Sequence, residues 1–276
     1  MTDETVLITG CSSGIGRATA QYFNDDGWTV YATSRDADDL SDLAAAGCHT
    51  AALDVCEGSD IDRVVDRIVD EQNGRIDCLV NNAGYGQYGP VEDIPADRLH
   101  RQFDVNVYGP HRLVRAVLPH MRDREDGTIV NISSVSARVI APGSGVYSAS
   151  KSALESMSDA LRAEAEGFGV DVVLVEPGPV ETHFSDRVAA EIDDGTERRP
   201  VYEWVYDLVE DGSFVAGQSP LAVSPDRVAQ TIHDAAEVDD PDARYPVGRG
   251  ARLLLASRFL PDRLRDAAYG LFRRVL

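Results

Sequence analysis

The sequence predicts a single α/β domain built on a doubly wound parallel β-sheet with helices on both faces. Short apolar runs rich in β-branched residues alternate with segments of helical periodicity from residue 5 to residue 175. Such runs are typical of strands buried on both faces of a parallel sheet, and right-handed crossovers place the intervening helices on its two sides. A length of 276 residues allows one large core rather than several domains.

Predicted strands and helices alternate along the chain. The strands are the apolar runs at residues 5–8, 28–32, 50–53, 76–80, 128–132 and 170–175, with a short last strand at 244–247. The helices are predicted at residues 14–25, 36–46, 61–71, 99–121, 146–166 and 225–238. The third helix shows its stripe most clearly, with apolar residues at 61, 64, 65, 68 and 69. Ser224 and Pro225 supply an N-cap and a first-turn proline for the last helix.

The charge balance excludes two classes of partner. The chain has 26 Lys and Arg residues against 47 Asp and Glu residues, a formal net charge of −21. Such a surface repels phosphate backbones, so we expect no nucleic-acid partner. No uncharged apolar run approaches the roughly 18 residues of a membrane span, and the acidic N-terminus lacks a signal region. We therefore expect a cytoplasmic protein.

Lysine use is the second unusual feature of the composition. Lys151 is the only lysine, and the other 25 basic residues are Arg. A strongly acidic, lysine-poor surface is typical of a protein kept soluble in concentrated salt, and genomic bias toward Arg codons is the alternative. A chain with one lysine is expected to use it for chemistry. The cysteines have no zinc-ligand spacing, so we predict no metal site and four reduced thiols: Cys11, Cys48, Cys56 and Cys78.

A glycine-rich segment follows the first predicted strand and opens the first helix. Glycines let the backbone approach a pyrophosphate, and the N–H groups of a helix N-terminus hold its charge. A purely structural turn is the alternative, but the strand–turn–helix setting favours nucleotide binding. The residues predicted to contact the nucleotide are Gly10, Ser12, Ser13, Gly14, Ile15 and Gly16, within Thr9-Gly10-Cys11-Ser12-Ser13-Gly14-Ile15-Gly16.

The end of the second strand bears on which dinucleotide is bound. An NAD-selective site places an acid there to hold the ribose hydroxyls, whereas this chain has Ser34 and Arg35. Arg35 offers a bidentate fork to a 2′-phosphate. A solvated Arg beside Asp36 and Asp38 is the alternative, because these acids would weaken a phosphate contact. The sequence therefore favours NADP(H), with NAD(H) as the alternative cofactor.

Two further strand ends are predicted to line the ligand crevice at the carboxyl edge of the sheet. Asp54 and Val55 follow the third strand, where Asp54 suits the adenine amino group or simply caps the turn. The fourth strand ends in compact polar residues, Asn81-Asn82-Ala83-Gly84. We therefore predict further cofactor contacts from Asp54, Val55, Asn82, Ala83 and Gly84.

The residues expected to carry chemistry follow the fifth strand. Ser134 stands just beyond its carboxyl end, and Tyr147 and Lys151 lie four residues apart on one face of the next helix. A phenol with a pKa of about 10 is a poor acid or base at neutral pH. A nearby cation favours the phenolate, so we expect Lys151 to lower the pKa of Tyr147. Ordinary positions on a solvated helix are the alternative, and the uniqueness of the lysine argues against it.

Taken together, the motifs resemble those of the short-chain dehydrogenase/reductase family. They occur in the family's order over roughly residues 5–182 and end in Pro177-Gly178-Pro179-Val180-Glu181-Thr182. The resemblance implies a Rossmann-type fold and an oxidoreductase that interconverts a secondary alcohol and a ketone or aldehyde. It also implies a homodimer or homotetramer. The alternatives are a nucleotide-binding sensor or scaffold without turnover, and a membrane-peripheral oxidoreductase of lipid-like substrates.

The resemblance also implies roles for individual residues. Tyr147 would be the general acid/base, and Lys151 would hold the nicotinamide ribose. Ser134 would hydrogen-bond the substrate oxygen, and Asn106 would support a water-linked proton relay. Thr182 would contact the nicotinamide carboxamide, among four cofactor residues in the last motif: Pro177, Gly178, Val180 and Thr182.

Two segments lie outside these motifs. Within the main domain, residues 1–248, the family resemblance implies that the irregular and aromatic stretch 183–225 is a lid over the substrate. Its aromatic and aliphatic content predicts a small, rather apolar carbonyl or alcohol substrate. A partly ordered surface loop is the alternative. Residues 249–276 hold seven Arg and two Asp residues and predict two amphipathic helices broken at Pro261. We expect this basic tail to pack on the acidic body or a sister subunit rather than on a membrane surface.

Overall fold

A computed structural model describes residues 4–182, 198–210 and 222–272. Within them, the strands are β1 (Thr5–Thr9), β2 (Thr29–Ser34), β3 (His49–Ala52), β4 (Cys78–Asn81), β5 (Gly127–Ile132), β6 (Val170–Pro177) and β7 (Arg244–Val247). They form one sheet in the order β3-β2-β1-β4-β5-β6-β7, and each neighbouring pair is parallel. The predicted doubly wound α/β fold is therefore confirmed, with its switch point between β1 and β4.

Helices cover both faces of this sheet. Among the described residues they are α1 (Gly14–Asp25), α2 (Ser41–Ala45), α3 (Gly58–Glu71), α4 (Ala96–Phe103), α5 (Gly109–Arg124), α6 (Gly145–Ala165), α7 (Glu203–Glu210), α8 (Pro225–Glu237), α9 (Arg249–Ser257) and α10 (Asp262–Phe272). In the part of the chain that these ranges represent, no helix combines the length and apolarity needed to cross a bilayer.

Two apolar layers fill the space between the sheet and its helices. Phe23 of α1 packs with Ile8 in the layer on one face. Ile61 of α3 and Leu113 of α5 pack with Leu7 in the layer on the other. Neighbouring residues of β1 point to opposite faces because side chains alternate along a strand. Burial of each such side chain contributes about 1.5–3 kcal/mol to the stability of the fold. The packed layers therefore hold the strands, and the predicted site residues at their ends, in place.

The helix predicted at residues 99–121 is interrupted by a turn of π-helix at Asp104–Tyr108, between α4 and α5. Pro110 lacks an N–H and cannot donate to the carbonyl of Asn106 four residues earlier, so the regular ladder is broken at this point. The prediction missed the interruption because the apolar periodicity continues through it. The π-turn carries Asn106, one of the predicted site residues.

The helix predicted at residues 36–46 is also only partly right. It begins as a 3₁₀ turn at Ala37–Leu40 and becomes α2 afterwards. The Asp36 carboxylate accepts a hydrogen bond from the Asp38 N–H at 3.0 Å, which closes a tight first turn. This local bond competes with regular helix formation.

The predicted lid and tail are described in part. Residues 183–197 and 211–221 of the lid lie outside the described residues, as do residues 273–276 of the tail. Among the described residues of the predicted lid, Glu203–Glu210 form α7, whose apolar face is buried. In the tail, α9 and α10 flank Pro261 as predicted, and Ala251 of α9 is buried against Gly178 after β6.

Candidate active site

A cavity of about 370 Å³ opens at the carboxyl ends of the central strands. This is the crevice where ligands bind in doubly wound sheets. Gly16, Asn106 and Gly178 do not line it. The predicted residues that do are Gly10, Ser12, Ser13, Gly14, Ile15, Arg35, Asp54, Val55, Asn82, Ala83, Gly84, Ser134, Tyr147, Lys151, Pro177, Val180 and Thr182.

The glycine-rich turn is shaped by close backbone approach. Gly10 has a φ of +74°, and a Cβ atom on it would lie 2.9 Å from the Cα atom of Ala83. A Cβ atom on Gly16 would lie 2.3 Å from both the Gly10 carbonyl oxygen and the Asn82 side-chain nitrogen. Gly16 therefore lets α1 pack on the turn, whereas Gly10 and its neighbours form the cavity wall.

Thr9 and Asn82 join the turn to the end of β4. The Asn82 side chain donates to the Thr9 carbonyl oxygen at 2.8 Å and to the Gly10 carbonyl oxygen at 3.1 Å. In return, the Thr9 hydroxyl accepts from the backbone N–H groups of Asn82 and Ala83 at 3.1 and 3.0 Å. These bonds hold both walls of the crevice at a fixed separation.

Arg35 and Asp54 lie on the side of the cavity formed by β2 and β3. Arg35 is exposed at the end of β2, where its side chain is accessible to a ligand. Asp54 caps the turn after β3, since its carboxylate accepts from the Cys56 N–H at 2.9 Å. Asp54 thus caps the turn and also lines the cavity. Its position is compatible with both predicted roles, the turn cap and the contact with the adenine amino group.

Ser134, Tyr147 and Lys151 meet at the rim of the cavity beyond β5. Tyr147 forms a hydrogen bond with Ser134. The Lys151 ammonium donates to the Ile132 carbonyl oxygen at 2.8 Å and lies 5.9 Å from the centre of the Tyr147 ring. Tyr147 and Lys151 are both buried, so their ionisation is governed by the protein rather than by bulk water.

The protonation of this pair departs from the sequence-based expectation. Burial raises the pKa of Tyr147 to about 12, and the opposing effect comes from the Ser134 hydrogen bond rather than from Lys151. Burial also lowers the pKa of Lys151 to about 8, against the attraction of Glu155. The expected lowering of the phenol pKa by Lys151 is thus not found in this structure, because desolvation outweighs a cation held at Ile132.

Asn106 lies behind the cavity wall. Its side chain accepts from the Tyr85 N–H at 3.2 Å and donates to the Tyr85 carbonyl oxygen at 3.0 Å. It also donates to the Ser150 hydroxyl at 3.1 Å. A Cβ atom on Gly84 would lie 3.1 Å from Asn106 Oδ1 and 3.6 Å from Lys151 Nζ. The fold therefore brings Asn106 close to Lys151, with the small residue Gly84 beside both.

An aromatic wall next to Tyr147 was not predicted from the sequence. The Tyr88 ring stacks on Tyr147 with centroids 5.3 Å apart and an interplanar angle of 26°. Tyr206 and Val209 of α7 join the same buried cluster. Gly143, with a φ of +82°, makes room for α7, because a Cβ atom there would lie 2.7 Å from Val209. Helix α7, which belongs to the predicted lid segment, thus packs directly beside the candidate catalytic tyrosine.

A buried carboxylate anchors α7. Asp93, whose side chain is fully buried, accepts from the Tyr206 hydroxyl at 2.8 Å and from the Arg199 N–H at 3.2 Å. It also pairs with the Arg199 guanidinium. Burial acts to raise the pKa of Asp93, but the bonds from Tyr206 and Arg199 outweigh it and hold the pKa below its usual value. No local motif marked Asp93, because its partners are more than a hundred positions away along the chain.

A second unpredicted group surrounds Glu155 of α6. We call Arg138, Glu155, Asp159, Glu176 and Arg244 the charged cluster. Arg138 and Arg244 each contact both Glu155 and Glu176, at 2.8 to 3.0 Å. Arg244 also pairs with Asp159. The cluster ties α6 to β6 and β7, and its Glu155 also accepts a hydrogen bond from Ser133, the residue before Ser134.

Away from the cavity, one group of side chains brings metal-ligating atoms close together. Asp26, His233 and Glu237 place such atoms within 4.8 Å of one another where α1 packs on α8. His233 lies 3.1 Å from Asp26 and 3.6 Å from Glu237. The contacts link the two helices, and none of the three residues lines the cavity.

The chain is similar to curated proteins over nearly all of its length. A family model for short chain dehydrogenases matches residues 4–193. The uncharacterized oxidoreductase YbbO of Escherichia coli strain K12 is 35% identical over 264 residues, covering 95% of this chain and 93% of that protein. The 3-ketodihydrosphingosine reductase of Bacteroides thetaiotaomicron is 32% identical over 275 residues, covering 99% and 98%.

Solved structures have the same fold. A short-chain dehydrogenase from Streptomyces avermitilis has a TM-score of 0.82 at 35% identity, covering 100% of this chain and 97% of that chain. A serine dehydrogenase complexed with NADP⁺ has a TM-score of 0.76 at 28% identity, covering 89% and 95%. A short-chain dehydrogenase/reductase from Burkholderia phymatum in complex with NAD has a TM-score of 0.78 at 27% identity, covering 99% and 97%.

The sheet order and the crevice at its switch point define a Rossmann-type protein. The family match and the relatives identify it further: the chain belongs to the short-chain dehydrogenase/reductase family, a family of oxidoreductases.

Proposed function

We propose that the protein is an NADP(H)-dependent oxidoreductase that interconverts a secondary alcohol and a ketone or aldehyde. The observation that carries the proposal is the meeting of Ser134, Tyr147 and Lys151 at the rim of a glycine-lined cavity. A sensor or scaffold without turnover has no use for a serine and a tyrosine joined by a hydrogen bond at that rim. Family membership supports the same reaction class.

The cavity fits a dinucleotide. Its glycine-rich wall leaves backbone exposed to the ligand, and α1 begins there, as a pyrophosphate site requires. Arg35 would take a 2′-phosphate, which favours NADP(H), while the complexes with NADP⁺ and with NAD among similar structures support a nicotinamide cofactor of either form. Asp54 would hold the adenine side of the dinucleotide, Asn82 its central part and Thr182 its nicotinamide side. When bound, the nicotinamide supplies or accepts the hydride.

The chain's own residues would handle the proton. A phenol with a pKa of about 12 is protonated at neutral pH, so Tyr147 is poised to donate its proton to a carbonyl oxygen during reduction. The Ser134 hydroxyl would donate a hydrogen bond to the same oxygen and hold it in place. The charge of Lys151 would stabilise the phenolate left on Tyr147, and the reverse proton transfer would serve oxidation of the alcohol.

The aromatic wall bears on the substrate class. Tyr88, Tyr206 and Val209 form a buried cluster with Tyr147, and apolar side chains packed around the reacting tyrosine favour an apolar substituent on the carbonyl carbon. A similar protein named 3-ketodihydrosphingosine reductase supports an apolar ketone. The proposed substrate is therefore a small, rather apolar ketone, aldehyde or secondary alcohol.

The proposal includes a cytoplasmic homodimer or homotetramer. Leu99 of α4, Tyr108 of the π-turn and Met157 of α6 are exposed apolar residues on or beside the long helices, as an interface between copies requires. Sedimentation of the full chain would measure the assembly, and Tyr108→Glu should weaken it.

Loss of NADPH absorbance with a panel of apolar ketones and aldehydes tests the function. The wild-type protein should reduce at least one of them, and Tyr147→Phe should lower the rate by about 10²- to 10⁴-fold with unchanged NADPH affinity. Tyr245→Phe, on β7 outside the cavity, is the matched control and should keep the wild-type rate. Binding of NADPH without turnover of any carbonyl would instead favour the sensor or scaffold.

A further inference from the structure

Three residues on one face of α6 hold three consecutive residues at the end of β5. Tyr147, Lys151 and Glu155 follow one another at intervals of four residues, which aligns them along the helix. Tyr147 bonds to Ser134, the Lys151 ammonium bonds to the Ile132 carbonyl oxygen at 2.8 Å, and Glu155 accepts from the Ser133 hydroxyl at 2.8 Å. Tyr147 and Lys151 both have a role in the proposed reaction, whereas the contact between Glu155 and Ser133 has none so far.

The Glu155 carboxylate is fixed on both of its oxygens. One oxygen accepts from Ser133, and the other accepts from Arg138 and Arg244, each at 2.9 Å. The residue is 6% exposed. Burial of a charged group is costly, and apolar side chains of similar volume often stabilise a core as well. Stability alone therefore does not account for a carboxylate at this place.

We propose that Glu155 is a positioning residue of the reaction: its carboxylate stabilises the charged form of Lys151 and, through Ser133, fixes the strand end that carries Ser134. The inference rests on the proposed function of Tyr147 and Lys151. It adds a residue that contacts neither substrate nor cofactor and acts through its two neighbours.

The surroundings of Lys151 explain why its charge needs support. Tyr147 lies one turn before it on α6, β5 contributes the Ile132 carbonyl, and Asn106 of the π-turn lies beside the same Gly84 position. Burial lowers the pKa of Lys151 to about 8, and the negative charge of Glu155 opposes this lowering.

The other charged residues nearby face Glu155 from its far side. Arg138 follows β5, Arg244 lies on β7, and Glu176 lies on β6, with Asp159 one turn further along α6. Two arginines therefore face three carboxylates, those of Glu155, Glu176 and Asp159. Without Glu155, the pKa of Lys151 would fall further below about 8. The lysine would then become neutral at a lower pH and could no longer stabilise the Tyr147 phenolate.

The single lysine makes a direct measurement possible. Protein labelled with ¹³C at the lysine side chain gives one lysine resonance, and its shift against pH reports Lys151 without assignment. The wild-type protein should titrate near pH 8, and Glu155→Gln should move the midpoint to lower pH. Asp159→Asn removes another partner of Arg244 from the charged cluster and should leave the midpoint unchanged. An unshifted midpoint in Glu155→Gln, or an equal shift in Asp159→Asn, overturns the proposal.

Activity provides the second arm. The alkaline limb of the pH profile for NADPH-dependent reduction should move to lower pH in Glu155→Gln and stay in place in Asp159→Asn. Should Glu155→Gln fail to fold, Glu155→Asp can replace it, because it keeps the charge on a shorter side chain. The titration midpoint of Lys151 in Glu155→Asp should lie below the wild-type midpoint but above that of a buried lysine without a nearby carboxylate. A wild-type midpoint in Glu155→Asp would contradict the inference. The titration needs no turnover, so a protein that reduces no carbonyl defeats the proposed function without deciding the role of Glu155.

Discussion

The Lys151 ammonium donates a hydrogen bond of 2.8 Å to the carbonyl oxygen of Ile132, the last residue of β5. This bond joins the helix that carries Tyr147 to the strand that leads to Ser134. A compact ammonium fits the space between them, and Gly84 leaves room on the other side. The one lysine of the chain is therefore fixed by the sheet rather than solvated on a helix face.

The first prediction concerns the shape of this cation. Lys151→Arg keeps the charge but replaces a compact ammonium by a planar fork that cannot occupy the same buried place. We expect kcat for NADPH-dependent carbonyl reduction to fall by about 100-fold or more. Arg162→Lys, a partly exposed position on the same helix, is the control and should keep wild-type rates. A normal kcat in Lys151→Arg would refute the assigned role of the lysine.

The second prediction concerns cofactor choice. Arg35→Asp removes the proposed 2′-phosphate contact and places an acid where it can accept from the ribose hydroxyls. A charge-assisted hydrogen bond contributes about 1.5–3 kcal/mol, so the ratio of kcat/KM with NADPH to that with NADH should fall by at least about tenfold. Arg122→Asp, an exposed position on α5, makes the same change in net charge and should leave the ratio unaltered. An unchanged ratio in Arg35→Asp would contradict the NADP(H) preference.

The third prediction concerns the glycine-rich turn. Gly16→Ala places a Cβ atom 2.3 Å from the Gly10 carbonyl oxygen, and such overpacking costs about 1–3 kcal/mol. The free energy of unfolding in urea should fall by that amount, and NADPH should bind more weakly. Gly58→Ala, at the start of α3 with no atom within 4 Å of the added Cβ, should not destabilise the protein. Equal stability of Gly16→Ala and wild type would show that the turn relaxes freely.

The fourth prediction concerns the anchor of α7. The pKa of Asp93 in the folded protein lies below its usual value. Its carboxylate therefore contributes to the stability of the folded protein above about pH 4, and this contribution is lost as the pH falls through the lowered pKa. Asp93→Asn should increase hydrogen exchange of α7 amides at neutral pH and remove part of the loss of protection that we expect for wild type at acidic pH. Glu92→Gln, a more exposed neighbour that contacts Tyr202, should have a smaller effect. Wild-type exchange in Asp93→Asn would remove its anchoring role.

Local sequence patterns predicted most of the fold because hydrophobic periodicity and glycine placement act over short stretches. The helix at Gly14–Asp25 and the strand at Arg244–Val247 match the predicted bounds. The π-turn at Asp104–Tyr108 was missed because it depends on one absent N–H within a continuous apolar stripe. The 3₁₀ turn at Ala37–Leu40 was missed because it depends on a hydrogen bond from the Asp38 N–H to the Asp36 side chain.

The sequence by itself determined the order of the strands and helices, and hence which polar groups stand at the strand ends along one edge of the sheet. Ser134, Tyr147 and Lys151 were predicted together because they follow the fifth strand within eighteen positions of one another, and the family resemblance implied their roles. Only the tertiary structure decided that Glu155 is held by arginines from two other parts of the chain, and that α7 is fixed by Asp93. It also decided that the pKa of Tyr147 is raised rather than lowered. The physical reason is that burial and long-range contacts arise from packing, which brings together groups that no local pattern relates.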